Sequence, residues 1–387
     1  MNPTLLFYCQ HSLGMGHLAR SFALCEALAP RFNVVLLVGG KLPPKKRPPD
    51  GVQVVALPPL GAAMDGRLVS HDSRFTVERA FELRRQSILE TFRTVRPEVV
   101  LIEFFPFGKK RFASELLPLL EEINGLGPAA PVVACSIRDI LVGRGGGQEA
   151  FDDRASQLAN DYFDAVLVHS DPTFAKLEES FRPRVPLRTP VRYTGFVVPN
   201  GVSHRESTPG RHLLVSAGGG IAGAPLLTTA VEAHRLLDDV DMEVITGPFL
   251  PEETWQALCR RGEGQRGLSL RRSVPDLGSE LREARASLSQ CGYNTALDIL
   301  RARVPALFVP FAENGEDEQT RRARRLESLG AVRVLDPADL EPRRLADEIR
   351  TLFRFRPRHP DFDLRGGPNT VQVLDELHAA RFGVRAS

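Results

Sequence analysis

The sequence predicts an α/β protein with two doubly wound, Rossmann-like domains that face each other across a cleft. Short apolar segments of strand length alternate with segments of helical spacing along most of the 387 residues. A glycine-rich turn follows the first strand of each half, and a proline-rich stretch separates the halves. A chain of this length is long enough for two domains, each with its own hydrophobic core.

The first half begins with a strand, helix and strand at Leu5–Cys9, Leu18–Leu28 and Asn33–Val38. Further strands are predicted at Val52–Leu57, Val99–Ile102, Val132–Ser136 and Ala165–His169, with helices between them, of which Arg79–Arg93 is the clearest. We assign residues 1–190 to a first domain.

Prolines cluster between residues 183 and 209 and interrupt the alternation, so we place a linker over residues 191–210. Strands are then predicted at His212–Ser216, Met242–Thr246, Leu268–Arg271, Ala286–Ser289 and Ala306–Val309, and helices near Leu226–Leu237, near Gly278–Ala284, from Asn294 and from Glu318. We assign residues 211–365 to a second domain and expect a helix within residues 366–387 to pack back on the first.

The composition is typical of a soluble globular protein. Hydrophobic residues make up 42% and charged residues 25% of the chain, and a net charge of +2 is close to neutral for this length and does not indicate nucleic-acid binding. The five cysteines lack metal spacing, which favours free thiols. No apolar run approaches the roughly 20 residues that cross a membrane, and no secretory signal is recognisable. We therefore expect a bacterial cytoplasmic enzyme.

The stretch around Gly292 carries the strongest functional pattern. Gly292 lets the backbone approach a ligand, and the helix that follows offers unpaired N–H groups to an anion, with Asn294 and Thr295 in its first turn. Asp298 lies one turn beyond Thr295, where both can face the same ligand. Considered alone, Asp298 is equally well explained as a solvated acid.

Glu318 and Gln319 begin a helix after the next buried strand, at the edge where open α/β sheets bind ligands. A carboxylate beside an amide suits sugar hydroxyls, although a polar helix start explains the pair as well. Gly218, Gly219 and Gly220 follow the first strand of the second half and could present N–H groups to a diphosphate. A loop that serves only close packing is the alternative.

The first half has a matching turn, Gly14-Met15-Gly16-His17, which opens the first helix. His17 is predicted to lie at the carboxyl end of strand one, where a ligand would bind, with Arg20 one turn later. A helix-terminal histidine that hydrogen-bonds locally is the alternative.

Taken together, the order and spacing of these motifs resemble the GT-B glycosyltransferases of family 28. The resemblance is strongest over residues 286–335, moderate over 4–28 and 212–223, and weak between 40 and 130. It implies donor-diphosphate contacts from Gly16, Gly218, Gly219, Gly220, Gly292, Asn294 and Thr295, nucleoside contacts from Val274 and Asp298, donor-sugar contacts from Glu318 and Gln319, and an acceptor side at Glu103 and Arg138. The family usually has glutamate where this chain has Asp298.

The resemblance implies a hexosyltransferase that moves a sugar from a nucleoside-diphosphate donor, expected to be a UDP-sugar, to a hydroxyl acceptor. His17 is the candidate general base, because the pKa of histidine ordinarily lies near neutrality. Glycine N–H groups and a helix dipole could stabilise the leaving diphosphate, so we expect no metal and no further cofactor.

Three alternatives stay open. Residues 14–20 are similar to the GxGHxxR opening of the nucleotide-sugar hydrolase of pseudaminic acid synthesis, in which the histidine would activate water. A nucleotide-sugar epimerase has similar architecture. A protein that only binds nucleotide-sugars would keep the donor site without chemistry.

The acceptor is either a small molecule or a lipid-linked sugar. A basic, proline-rich stretch at residues 40–49 and the aromatic cluster of Phe104, Phe105 and Phe107 would suit peripheral contact with the inner membrane face. A solvated loop and a core-facing cluster are the stronger interpretation of these two features.

Overall fold

The computed structural model describes residues 2–11, 16–42, 47–63, 67–143, 146–199, 210, 212–219, 222–312 and 317–383. Within these residues the chain forms a seven-stranded sheet, a six-stranded sheet and a two-stranded hairpin. Every pairing within the two large sheets is parallel. The predicted fold class, α/β with two doubly wound domains, is confirmed.

The elements of the first half are β1 (Thr4–Cys9), α1 (Gly16–Leu28), β2 (Asn33–Val38), β3 (Val52–Ala56), β4 (Leu60–Ala62), β5 (Leu68–Ser70), α2 (Val77–Val95), β6 (Val99–Glu103), α3 (Ala113–Gly125), β7 (Val132–Arg138), α4 (Gln148–Tyr162), β8 (Ala165–His169) and β9 (Val191–Tyr193). The strand order is β3-β2-β1-β6-β7-β8-β9, and β4 and β5 form the separate antiparallel hairpin. The order reverses between β1 and β6, so a crevice forms at the carboxyl ends of these two strands.

The elements of the second half are β10 (His212–Ser216), α5 (Ala224–His234), β11 (Asp241–Ile245), α6 (Glu252–Gly262), β12 (Leu268–Arg271), α7 (Leu277–Glu283), β13 (Ala286–Ser289), α8 (Tyr293–Ala302), β14 (Ala306–Phe308), α9 (Glu318–Ser328), β15 (Arg333–Val334), α10 (Pro342–Leu352) and α11 (Gly366–Phe382). Short 3-10 helices occur at Lys110–Phe112, Gly127–Ala129, Leu177–Glu179 and Pro337–Asp339. The strand order is β12-β11-β10-β13-β14-β15, which reverses between β10 and β13.

The strands are apolar on both faces because helices cover both sides of each sheet. On β1, Leu5 and Phe7 pack into one hydrophobic cluster, whereas Leu6 and Tyr8 pack into another on the opposite face. The second sheet is likewise enclosed by two clusters, one on each face. None of the helices in the described ranges is long and apolar enough to cross a membrane.

The last helix, α11, packs on the first domain. Its Leu374 is fully buried with residues of α1 and β1, and its His378 lies 2.7 Å from Glu98. The chain returns to the first domain before the helix begins, since Asp363 N–H donates to Asp171 at 2.9 Å. A Cβ on Gly366 would lie 2.5 Å from the Phe196 backbone, so this crossing requires glycine.

The first sheet extends into the predicted linker. Val191–Tyr193 pairs in parallel with β8 and forms the edge strand β9. A strand of three residues that directly follows Pro190 is too short to give a periodic signal, so the sequence does not distinguish it from the linker. Residues 200–209 of that linker lie outside the described residues.

Candidate active site

His17, Arg20 and Glu103 meet at the switch point of the first sheet, and we call them the base cluster. Helix α1 begins at Gly16, after β1, while Glu103 is the last residue of the adjacent strand β6. The Nδ1 atom of His17 lies 2.5 Å from Glu103 Oε1. Arg20 Nη2 donates a hydrogen bond to that same oxygen.

The base cluster favours a neutral histidine beside an ionised carboxylate. Burial lowers the pKa of His17 to about 3, although the Glu103 charge opposes that shift. Burial alone would raise the pKa of Glu103, but His17 and Arg20 outweigh it and bring the pKa to about 2. The neutral ring therefore donates Nδ1–H to Glu103, which leaves Nε2 with a free lone pair.

The base cluster is incompletely hydrogen-bonded. The side chains of Arg20 and Glu103 are fully buried, whereas 18% of the His17 side chain is exposed. Glu103 Oε2 and the Nε and Nη1 atoms of Arg20 have no partner in the described part of the chain. Buried polar atoms without partners are rare and are often found at functional sites.

Two more cations lie near the base cluster. Lys109 follows β6 in a left-handed conformation with φ of 55°. Burial lowers the pKa of Lys109, and Glu103 opposes that shift. Arg138 ends β7, and its guanidinium lies 5.2 Å from the centre of the Phe104 ring. The two residues predicted for the acceptor side, Glu103 and Arg138, thus end neighbouring strands beside His17.

The aromatic cluster after β6 faces inward. Phe104, Phe105 and Phe107 are all buried, in agreement with the core-facing interpretation. Phe104 also contacts His17 edge to face, with 5.6 Å between ring centres. Residues 43–46 of the basic stretch lie outside the described residues.

The N-terminus of α8 faces the N-terminus of α1 from the second domain. Gly292 precedes α8, and among the described residues no side chain caps the helix, so N–H groups of its first turn are available to a ligand. Asn294 Nδ2 donates to Gly16 O at 3.0 Å, which brings the two helix starts into contact. Thr295 is half-buried in the same turn. Two positive helix ends converge here, an arrangement that favours an anion.

The glycine loop after β10 lies at the switch point of the second sheet. Gly218 has φ of +56°, a conformation that glycine adopts without strain, and a Cβ there would meet nothing. The Gly219 carbonyl accepts from Phe249 N–H at 3.1 Å. Gln290 Nε2 donates to Ala222 O at 2.9 Å and so links the loop to the segment before α8. Gly220 lies outside the described residues.

Asp298 is half-buried on α8, and none of the hydrogen bonds in the described part of the chain involves its carboxylate. Burial raises the pKa of Asp298 to about 7, which Arg301 opposes and Asp276 reinforces. Val274 lies partly buried two residues before Asp276, which caps α7 through Gly278 N–H at 3.1 Å. The two residues predicted to bind the nucleoside therefore lie in neighbouring segments.

Glu318 is held in an ion network between the domains. Its Oε1 accepts from Arg322 Nη2 at 2.6 Å, and its Oε2 lies 3.2 Å from Arg138 Nη2. Burial would raise the pKa of Glu318, but Arg138 and Arg322 bring it down to about 2. Gln319 Oε1 accepts from Phe311 N–H at 3.1 Å. The predicted contacts of Glu318 and Gln319 with a donor sugar stay a prediction.

Sequence reasoning missed three residues of this interface. Arg322 binds Asp139 through two hydrogen bonds of 2.7 Å, which join α9 to the end of β7. The hydroxyl of Tyr293 donates to His169 O at 2.9 Å and accepts from Val197 N–H at 3.1 Å. The spacing of Glu318 and Arg322, four residues apart on one helix, signals only their own ion pair and not the contact with Asp139.

Comparison with known proteins places the second domain in a family. Residues 222–361 match the glycosyltransferase family 28 C-terminal domain. A relative from Alkalilimnicola ehrlichii is 28% identical over 38% of this chain and 41% of its own length, and one from Methylococcus capsulatus is 31% identical over 40% and 43%. A relative from Bordetella parapertussis is 24% identical over 86% of this chain and 84% of its own. The chain thus matches less than half the length of the first two relatives. All three are UDP-N-acetylglucosamine--N-acetylmuramyl-(pentapeptide) pyrophosphoryl-undecaprenol N-acetylglucosamine transferases.

Solved structures share the whole architecture. The calicheamicin glycosyltransferase CalG4 has a TM-score of 0.61 at 17% identity and covers 100% of both chains. MurG of Acinetobacter baumannii has a TM-score of 0.60 at 16% identity over 97% of this chain and 100% of its own. At such identities the similarity establishes the fold alone. With the family match over residues 222–361, it confirms the predicted resemblance. The second domain is therefore similar to the glycosyltransferase family 28 C-terminal domain, and the whole chain has the GT-B fold.

Proposed function

We propose that this protein transfers a hexosyl group from a UDP-sugar to a hydroxyl acceptor, with His17 as the general base. The observation that carries the proposal is the position of the base cluster. It lies at the switch point of the first sheet, where Gly16 at the start of α1 meets Asn294 at the start of α8. The candidate base His17 therefore lies beside the helix N-terminus that would bind the diphosphate. Group transfer from a diphosphate requires these two groups to be close together.

His17 Nε2 takes the proton of the acceptor hydroxyl while the hydroxyl oxygen bonds to the anomeric carbon of the donor. The bond between that carbon and the diphosphate oxygen breaks, and the nucleoside diphosphate leaves with the electron pair. Glu103, 2.5 Å from Nδ1, holds the ring in the required tautomer and stabilises the imidazolium that forms.

The donor lies against the second domain. The uncapped N-terminus of α8 and the loop at Gly218 and Gly219 hold its diphosphate, while Asp298 accepts hydrogen bonds from the ribose hydroxyls. Val274 lies in the neighbouring segment, where its backbone faces the base. UDP is proposed as the nucleotide because the curated relatives are named for UDP-N-acetylglucosamine. The helix N-terminus supplies the electrostatic stabilisation of the leaving group, so the proposal includes no metal and no cofactor.

The acceptor lies against the first domain, near Lys109 and Arg138. The names of the curated relatives include a pyrophosphoryl-undecaprenol acceptor, which supports a lipid-linked hydroxyl over a small free sugar. A cytoplasmic protein that touches the inner face of the membrane fits such an acceptor.

Two measurements on purified protein test the proposal. A thermal-shift panel of nucleoside diphosphates should show the largest stabilisation with UDP, because a ligand that binds only the folded state raises its stability. The UDP-sugars should then be incubated with and without a panel of hydroxyl acceptors. Transfer predicts that UDP release depends on the acceptor and that the sugar is recovered on it.

Two results would count against transfer. Fast release of free sugar without an acceptor would identify the hydrolase instead, with water in place of the hydroxyl. Stabilisation by UDP without turnover of any UDP-sugar would favour a protein that only binds the donor.

A further inference from the structure

Tyr293 joins the donor side of the cleft to the first domain. It is the first residue of α8, and only 4% of it is exposed. Its hydroxyl makes two hydrogen bonds, one to the carbonyl of His169 at the end of β8 and one from the N–H of Val197. Together with the Asn294 contact to Gly16, this side chain therefore fixes the end of α8 that faces the donor to the first domain.

The ring of Tyr293 lies between two guanidinium groups. Arg20 of the first domain is 5.7 Å from the ring centre, and Arg322 of the second is 5.8 Å from it. Both distances are within the range of a cation–π contact. A single aromatic ring thus contacts one cation from each domain.

The two cations differ in what else holds them. Arg322 donates to Asp139, Glu318 and the Cys291 carbonyl, and these bonds fix it without the ring. Arg20 donates only to Glu103 Oε1, and its Nε and Nη1 have no partner in the described part of the chain. The ring of Tyr293 is therefore a principal contact that fixes the Arg20 guanidinium.

We propose that Tyr293 is a positioning residue that couples the donor-facing end of α8 to His17 through Arg20 and Glu103. Arg20 and His17 share one oxygen, Glu103 Oε1. A movement of Arg20 therefore changes the hydrogen bond and the charge that Glu103 presents to the imidazole. This proposal rests on the proposed function in one respect, the assignment of His17 as the general base.

Other charged groups also face His17. They are Glu103 and Lys109 from β6 and the loop after it, Arg138 from the end of β7, and Glu318 from α9. A second route from Tyr293 to His17 leads through Arg322 and Glu318. Because Arg322 is held by four hydrogen bonds of its own, we assign the coupling to Arg20.

Two substitutions separate the ring from the hydroxyl. Tyr293→Phe keeps the ring and removes the two hydrogen bonds across the cleft, so it should lower the melting temperature and leave His17 unchanged. Tyr293→Leu removes the ring as well and should displace Arg20. Tyr293→Met, whose longer and more flexible side chain adapts better to an irregular cavity, replaces the leucine variant if that variant does not fold.

The readout is the NMR spectrum of His17 in protein labelled with ¹⁵N-histidine, assigned with His17→Gln. In the wild type the Nδ1–H proton should resonate far downfield, because its hydrogen bond to Glu103 is short. Tyr293→Leu should shift this resonance in the same direction as Arg20→Gln, and Tyr293→Phe should leave it in place. Turnover should fall by at least about threefold in Tyr293→Leu while the KM for the donor stays within about twofold, because the ring contacts Arg20 of the base cluster.

The double variant Arg20→Gln/Tyr293→Leu tests the route, because residues in one chain of contacts have effects that do not add. Additive shifts of the His17 resonance would overturn the role of Arg20. If the Tyr293→Leu protein is less stable but its His17 resonance is that of the wild type, Tyr293 has a structural role only and the proposed coupling is wrong. The spectrum does not depend on catalysis, so an active His17→Ala enzyme would refute the base and leave this test intact.

Discussion

The first domain contains two buried arginine–glutamate clusters that differ in how completely they are hydrogen-bonded. Arg84 binds both oxygens of Glu115, at 2.7 and 2.6 Å, and also donates to Gly39 O, Pro58 O and Gln10. Tyr8 donates to Glu115 as well, so every buried polar atom of Arg84 and Glu115 has a partner. Arg20 and Glu103 instead share one contact and leave three atoms without partners in the described ranges.

We interpret this difference as that between a structural role for Arg84 and Glu115 and the proposed catalytic role of the base cluster. Burial of an ion pair is costly, and a complete set of hydrogen bonds offsets the cost. The Arg84–Glu115 pair ties β1, α2 and α3 together and has no free atom for a ligand. The buried atoms of the base cluster that lack hydrogen-bond partners in the described ranges lower the stability of the fold. Such atoms are often found at sites that bind a ligand.

The largest expected effect is that of His17→Ala on turnover. General-base catalysis contributes about 10²–10⁴-fold, so turnover should fall within that range while the affinity for UDP persists. His359→Ala, at an exposed histidine of the second domain, is the matched control and should be fully active. A less stable His17→Ala protein with full turnover per folded molecule would leave His17 as a helix-terminal residue.

Arg84→Met should have the largest effect on stability. It leaves Glu115 charged, buried and short of its partner, a change that typically costs about 3–5 kcal/mol of unfolding free energy. Urea denaturation measures this loss, and Arg79→Met on the exposed face of the same helix is the control. Turnover per folded molecule should stay at the wild-type value, and a loss there would assign Arg84 to the site.

Asp298→Asn should weaken UDP binding by about 10- to 100-fold, because a hydrogen bond to a charged group is worth about 1.5–3 kcal/mol. In the wild type, affinity should rise with pH and level off above pH 7, since the ionised form accepts the ribose hydroxyls and burial holds the pKa at about 7. Calorimetric titration at several pH values tests both statements. An affinity for UDP that is unchanged in the variant removes Asp298 from the site.

The same substitution should have the opposite effect on the stability of the ligand-free protein. The folded pKa of Asp298 is raised above its ordinary value of 3.8, so the unfolded chain loses this proton first and stability falls as pH rises from there to about 7. Asp298→Asn removes that loss. Its melting temperature should equal that of the wild type near pH 4 and exceed it at pH 8, and a constant difference across this range would contradict the raised pKa.

Much of the fold could be predicted from the sequence because parallel strands buried on both faces are continuous apolar runs. Asn33–Val38, Ala165–His169 and Ala286–Ser289 have the predicted boundaries. The hairpin of β4 and β5 and the edge strand β9, each with strands of three residues, were missed because such strands bury few side chains. Periodicity needs longer segments than these to give a signal.

The site was predictable where one loop and the helix after it carry the chemistry, and not where it depends on contacts between distant segments. Gly292 and Asp298 could be proposed from the sequence because both lie in one motif, and their roles stay predictions. The pairing of Arg322 with Asp139, 183 positions away, has no local signature. The ion pair between Glu318 and Arg138 also depends on how the two domains are positioned relative to each other. The spacing of residues along the chain does not predict that.

A matched pair of variants tests the central comparison most directly. Glu103→Gln and Glu115→Gln make the same chemical change in the two clusters, and turnover per folded molecule is measured for both beside their melting temperatures. We predict that Glu103→Gln lowers turnover per folded molecule by at least tenfold, in line with the usual contribution of about 10²–10⁴ from base catalysis. Glu115→Gln should lose more stability and keep wild-type turnover per folded molecule. Equal turnover in the two variants, or a loss confined to Glu115→Gln, would contradict the assignment of the base cluster to catalysis.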